Sequence, residues 1–216
     1  MIITCIGHAM FLLELDNGMR ILTDPVDQGS GYPVEPVKAD AVLVSHHHHD
    51  HAALENAPGA QVIDTEGLHT LAPDVKIQAI HAWHDDAQGT KRGSTLLFLL
   101  EAEGLRVAHL GDLGHLPTKE QIAALAPVDV LMIPVGGYYT IDAEQAKKTA
   151  ELLQARVILP MHYRTAYNGD WPIDTEDAFL RLYGDEDVTR QNLLRVTKGD
   201  LCCQKKVCLL AAQLKG

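Results

Sequence analysis

Ser45-His46-His47-His48-His49-Asp50-His51 is the stretch from which the rest of the chain can be read. It holds the register H-x-H-x-D-H: His46, His48, Asp50 and His51. Residues two apart in an extended segment point to one side, so His46 and His48 are placed to share one cation. Asp50 and His51 follow where the chain turns and are placed to face a second. Imidazole and carboxylate donors suit divalent ions, with Zn2+ foremost and Mn2+ or Fe as substitutes. A histidine run can also be a solvated loop or an expression tag. This run is internal, follows a buried-type strand over residues 41–45 and ends in Asp-His, which neither alternative explains. By the same alternation His47 and His49 point away from the ions.

Outward from this run, short apolar segments dominate the first half of the chain. Residues 2–6, 11–15 and 20–23 read as strands, with Asp16-Asn17-Gly18 turning the second into the third. Residues 61–64 and 75–80 are further strands, with a short helix predicted over 66–71 between them. Residues 94–101 and 105–110 form a predicted hairpin about Glu103-Gly104. Thr118 opens a helix with Gln121 as its capping-box partner. Asp142 caps another helix that runs to Leu153, and residues 175–183 form a third. Strands at 129–133, 156–159, 193–196 and 207–210 complete the reading. Sheets covered by helices are the natural way to bury so many strands. No linker or short-period repeat divides the 216 residues, so one domain spanning 1–216 is expected.

Composition narrows the function. There are 18 basic and 29 acidic residues, giving a net charge of −11. Such a surface repels phosphate backbones, so no nucleic-acid partner is expected, and it disfavours an anionic membrane. No apolar stretch approaches the length of a membrane span. The opening MIITCIGHAMFLLEL lacks a basic start and is broken by His8 and Glu14, unlike a signal peptide. A cytoplasmic location follows by default. Cys5, Cys202, Cys203 and Cys208 contain no CxxC pair and read as reduced thiols.

The spacing of further motifs identifies a family resemblance. Thr23-Asp24-Pro25, the H-x-H-x-D-H stretch, His84 in His84-Asp85-Asp86, Asp112 in Gly111-Asp112 and His162 in Pro160-Met161-His162-Tyr163 occur in the order found in the metallo-β-lactamase superfamily. With Gly7-His8 and Pro134-Val135-Gly136-Gly137, the chain most resembles the branch of small hydrolases similar to ascorbate-6-phosphate lactonase and N-acyl phosphatidylethanolamine phospholipase D. The resemblance implies an α/β fold, a four-layer αβ/βα sandwich with two metal ions at one edge between the sheets. It implies that His46, His48 and His84 hold the first ion, that Asp50, His51 and His162 hold the second, and that Asp112 bridges them. It also implies a hydrolase acting on a small-molecule ester, lactone or phosphodiester through hydroxide activated by the metal pair, with Asp50 orienting it.

Other residues carry competing readings. His81 rivals His84 as a ligand, and the acid after His84, followed by Arg92-Gly93, favours His84. Asp24 is expected to bond a ligand histidine and fix its tautomer. His8 and His109 are candidates to protonate a leaving group, and each also reads as a structural histidine; His115 is expected to pack. His69 reads as surface. Gly136-Gly137-Tyr138-Tyr139-Thr140 is either a glycine-dependent turn or a substrate-side loop. Tyr167, Asn168 and Trp171 are expected at the mouth of the pocket. Arg92-Gly93-Ser94-Thr95 departs from the branch, which often has asparagine where Thr95 stands. Rival functions are a non-catalytic metal-binding or sensing protein, a nuclease similar to ribonuclease Z, and a di-iron oxidoreductase. The acidic charge opposes the nuclease. Histidine at position 48, where di-iron members typically place a carboxylate, opposes the oxidoreductase. A homo-oligomer remains open.

Overall fold

The computed structural model describes residues 1–204 and 206–214. Two sheets pack face to face. The first opens with β1 (Ile2–Gly7), β2 (Met10–Glu14) and β3 (Arg20–Thr23), an antiparallel meander. It continues with β4 (Ala41–Leu43) and β5 (Gln61–Ile63), which add in parallel. The second sheet begins with β6 (Gly67–Ala72), β7 (Val75–Trp83), β8 (Ser94–Ala102) and β9 (Leu105–His109), all antiparallel neighbours. It then takes β10 (Val130–Pro134), β11 (Val157–Met161) and β12 (Val188–Gln191). A two-residue β13 (Leu194–Arg195) crosses back to pair with β1, and β14 (Val207–Leu210) inserts between β11 and β12.

Alternation along the strands explains the layering. Ile3, Cys5, Phe11, Leu13 and Ile21 of the first sheet meet Ile77, Phe98, Leu100, Val107 and Met132 of the second in the central core. The opposite face of the second sheet carries Leu97, Leu99, Ala108, Leu131 and Ile158. Three helices cover it: α1 (Lys119–Leu125), α2 (Ala143–Leu152) and α3 (Glu176–Leu180). Thr118 with Gln121, and Asp142 with Gln145, form complete capping boxes, which satisfy backbone donors that a helix start leaves open.

The outer face of the first sheet is covered differently from the expectation. Met10, Leu12, Leu22, Val42 and Val44 pack against Val26, Tyr32, Val34 and Ala57, which lie on irregular segments and single 3-10 turns. Pro25, Pro33 and Pro36, with Gly29 and Gly31, deny that segment a regular helix. Residues 66–71, expected as a short helix, instead form a bend at Glu66 and the start of β6 from Gly67. So short a helix has little stability of its own, and these residues pair as an edge strand antiparallel to β7. β12 was not legible in the sequence, because Val-Thr-Arg-Gln carries no apolar alternation.

Phe98 lies on β8 in the centre of the inter-sheet core and is 1% exposed. Phe98→Ala is expected to cost about 3–5 kcal/mol through lost burial and a residual cavity, measured as a lower urea-unfolding midpoint.

Candidate metal centre

The motif residues converge at the ends of strands along one edge of the two sheets. The chain leaves β4 through Ser45 into the histidine run. His84 follows β7, Asp112 follows β9 and His162 follows β11. Asp112 sits in the middle, 2% exposed. Its carboxylate lies 3.1 Å from His84 Nε2, 3.2 Å from both His51 Nε2 and His162 Nε2, and 3.8 Å from His46 Nε2.

Donor atoms fall into overlapping groups, each compact enough for one cation: His46, His48 and His84; His8, Asp50, His51 and His162; and His46, His51 and Asp112. Several buried atoms here have no hydrogen-bond partner, among them His51 Nε2, Asp112 Oδ1 and both ring nitrogens of His8. Orphaned buried donors and acceptors are costly. Imidazole nitrogens and carboxylate oxygens together are the donor set that borderline divalent cations take, so the residues present fit a metal pair.

Asp24 organises the histidines from behind. It ends β3 in a left-handed conformation, with φ 34°, and is fully buried. Its Oδ1 accepts from the Ser45 N–H, and its Oδ2 accepts from the Ser45 hydroxyl, each at 2.7 Å. His51 Nδ1–H donates to the same Oδ2 at 2.8 Å. With its proton committed to Asp24, the Ser45 oxygen is left to accept from His46 Nδ1–H at 2.9 Å. Both tautomers are thereby fixed, and the Nε2 lone pairs of His46 and His51 point into the centre.

Protonation follows the same arrangement. Burial, with His51 nearby, pushes His46 down to about 3, and burial with His162 pushes His8 down to about 4. Burial also works against charge on His51, but Asp112 and Asp24 override it and hold the ring well above the usual histidine range. Burial disfavours charge on Asp50 and Asp112 too, yet the surrounding histidines keep both below the usual carboxylate range. A cation among these groups would take the place of the His51 proton.

Several candidates resolve by position. His81 stacks edge-on against Trp83 at 4.3 Å and lies outside all the donor groups. His115 accepts from the Trp83 N–H and donates from Nδ1 to the Leu116 carbonyl, a structural role. His47 and His49 are exposed beside Asp64 and Asp27. His69 bonds the Thr65 carbonyl, away from the centre. His109 does not fit the proton-donor role. Its Nε2–H donates to the Ala9 carbonyl at 3.0 Å, tying β9 to the β1–β2 turn, and its Nδ1 accepts from the Gly111 N–H, so both nitrogens are committed to backbone. His8, also left-handed at φ 55°, stands 3.4 Å from Asp50 Oδ2 with its side chain wholly enclosed.

A cleft of about 510 Å³ opens over the centre. Its floor is His48, Asp50, His84, Asp112 and His162, and its rim includes His49, Arg92, Tyr139 and Trp171. Of the mouth residues expected from the sequence, Trp171 lines the cleft. Tyr167 stacks on Tyr32 instead, and Asn168 is buried, pinning its loop through Thr165 and Tyr163. Gly136 lies against the His162 carbonyl, where a side chain would collide. The turn that needs this glycine also brings Tyr139 to the rim of the cleft. Two supporting residues escaped sequence reasoning. Ser45 relays Asp24 to His46, and Thr95 Oγ1 accepts from the Asp112 N–H at 3.2 Å. The departure at Thr95 was the available signal for the second.

Asp24→Ala leaves the Nδ1–H of His51 and the Ser45 relay without their acceptor. Zinc affinity, measured by competition with a chromophoric chelator, is expected to fall about 10–100-fold, with Asp24→Asn intermediate and a folded circular-dichroism spectrum in both.

Comparison with known proteins agrees with this geometry. A family profile described as "Beta-lactamase superfamily domain" matches residues 2–162. A metal-dependent hydrolase of Thermococcus onnurineus is 31% identical, with 84% of this chain and 91% of that protein covered. A crystal structure from Thermotoga maritima, of a metallo-β-lactamase superfamily protein with a proposed Zn-dependent hydrolase activity, is 38% identical at a TM-score of 0.78, covering 97% of both chains. Igni18, a metallo hydrolase of Ignicoccus hospitalis, is 28% identical at a TM-score of 0.60, covering 76% of this chain and 82% of that one. The matched span contains every residue of the donor groups, and the chain belongs to the metallo-β-lactamase superfamily.

Proposed function

We propose that this protein is a hydrolase of small esters, lactones or phosphodiesters that works with two divalent cations, zinc being the expected pair. The observation that carries the reading is the position of buried Asp112 within reach of histidines of both donor sets beneath an open cleft. His46, His48 and His84 would hold one cation and Asp50, His51 and His162 the other, with Asp112 between them. The hydrolase descriptions of the relatives support it. Such a pair supplies a water acidic enough to lose its proton near neutral pH, and positive charge for the oxyanion of an attacked carbonyl or phosphoryl group.

The chain's own residues do the remaining work. Asp50 is ionised and faces the cleft, so it can accept a hydrogen bond from the attacking water and fix its direction. His8 stands behind Asp50 and outside the cleft lining. Its part in this scheme is to brace that carboxylate, in place of the leaving-group protonation considered from the sequence. Trp171 and Tyr139 wall the cleft and narrow its access to bulk water, which strengthens the electrostatic interactions inside. The cleft volume suits a small molecule. Among the described residues no helix is long and apolar enough to cross a membrane.

Metal analysis of untagged protein, followed by a panel of ester, lactone and phosphodiester substrates, tests the reading. Two equivalents of metal per chain are expected. Asp112→Ala and His162→Ala should lose metal and turnover together, the latter by at least about 10²–10³-fold. Full metal occupancy with full turnover in either variant would overturn the scheme.

A further inference from the structure

We propose that Arg92 recognises an anionic group, a carboxylate or phosphate, carried by the substrate beside the bond that is cleaved. The inference rests on the hydrolase reading above and deepens it by naming the substrate class.

Among the described residues, Arg92 is the one lysine or arginine that lines the cleft. Among the described residues no carboxylate lies within ion-pair distance of its guanidinium, and its side chain makes no hydrogen bond. Exposed Lys76 and Lys119 also lack an ion pair, but neither lines the cleft, and several other cations are occupied. Arg106 bonds Glu101 and the carbonyls of Pro127 and Leu125. Lys91, immediately before Arg92, pairs with Asp86 at 2.7 Å. The acid nearest in sequence is thus spent on the neighbour, and the arginine is left free.

The guanidinium is nevertheless held in place. It lies 5.4 Å from the ring centroid of Tyr139 and 5.9 Å from that of Tyr138. Stacking on aromatic faces steadies the guanidinium without consuming its N–H donors. The backbone beneath it is fixed by Asp85, 2% exposed, whose carboxylate accepts the N–H groups of Ala87, Gly89, Lys91 and Arg92 at 2.8–3.0 Å. The loop closes where the His84 N–H donates to the Gly93 carbonyl at 3.0 Å. The same closure therefore sets both a candidate metal ligand and the free arginine.

A planar fork with open donors, on a rigid loop at the rim of a small cleft, is the arrangement that binds carboxylate or phosphate in two-point fashion. The net charge of −11 sharpens the point. The field of the whole molecule repels an anionic substrate, so attraction has to be supplied locally, and Arg92 is the residue placed to supply it.

The test compares wild type, Arg92→Lys and Arg92→Ala, each with metal content measured. One arm follows hydrolysis of 4-nitrophenyl butyrate and of its anionic counterpart, 4-nitrophenyl hydrogen succinate. Removing the guanidinium should lower the ratio of kcat/KM for the anionic over the neutral ester by about 10–100-fold. Lysine, a point charge without the fork, should fall between. A second arm measures binding of succinate and of inorganic phosphate by calorimetry, and the ligand losing more affinity in Arg92→Ala identifies the group recognised. An unchanged ester ratio, or unchanged affinity for both anions, with metal retained in Arg92→Ala would overturn the proposal. If wild type turns over neither ester, the hydrolase reading fails for these substrates, while the calorimetric arm still decides the role of Arg92.

Discussion

Burying three carboxylates side by side is the constraint on which the rest of this structure turns. Asp24, Asp50 and Asp112 are all enclosed at one edge of the two sheets. Desolvated charges of one sign are expensive unless opposite charge and hydrogen bonds accompany them. The chain answers with imidazoles drawn from four separate segments. Asp24 is satisfied internally, by Ser45 and His51. Asp112 is not, since its Oδ1 faces His51 Nε2 and neither atom has a hydrogen-bond partner. The compensation left over at the centre is of the kind that divalent metal binding supplies.

Holding that geometry strains the backbone. His8, Asp24 and His162 have φ of 55°, 34° and 52°, a region that costs residues with a Cβ about 1–3 kcal/mol. The strain is tolerable because each lies where a strand ends against a well-packed core. Gly111 (φ 47°) sits beside Thr95 and Ser45, where a side chain would meet Thr95 Oγ1 at 2.6 Å and Ser45 Cβ at 2.7 Å. Asp112 can thus come close to the histidine run only because its predecessor has no side chain. The supporting residues are as specific as the donors themselves.

Legibility in the sequence followed periodicity. β1, β3, β8 and β9, and the capped helices α1 and α2, announced themselves through apolar alternation and capping residues. Residues 66–71 did not, because Gly-Leu-His-Thr-Leu carries little local preference and its strand form is imposed by the open edge of β7. α3 proved shorter than residues 175–183, since turns follow Leu180. The layer over the first sheet was expected as helix and is irregular, for which Pro25, Pro33 and Pro36 supply the reason.

The sequence by itself determined the superfamily, the donor types and their order, because ligand chemistry demands particular residues at fixed offsets within a strand-to-loop turn. Alternation also separated His46 and His48 from His47 and His49. Only the tertiary structure decided what stands beside what across the chain. It placed Ser45 between Asp24 and His46, turned His109 toward a backbone carbonyl, set His8 against Asp50 and left Arg92 free above the cleft. Those relations join residues tens of positions apart, and no local pattern encodes which side chains two packed sheets will bring together.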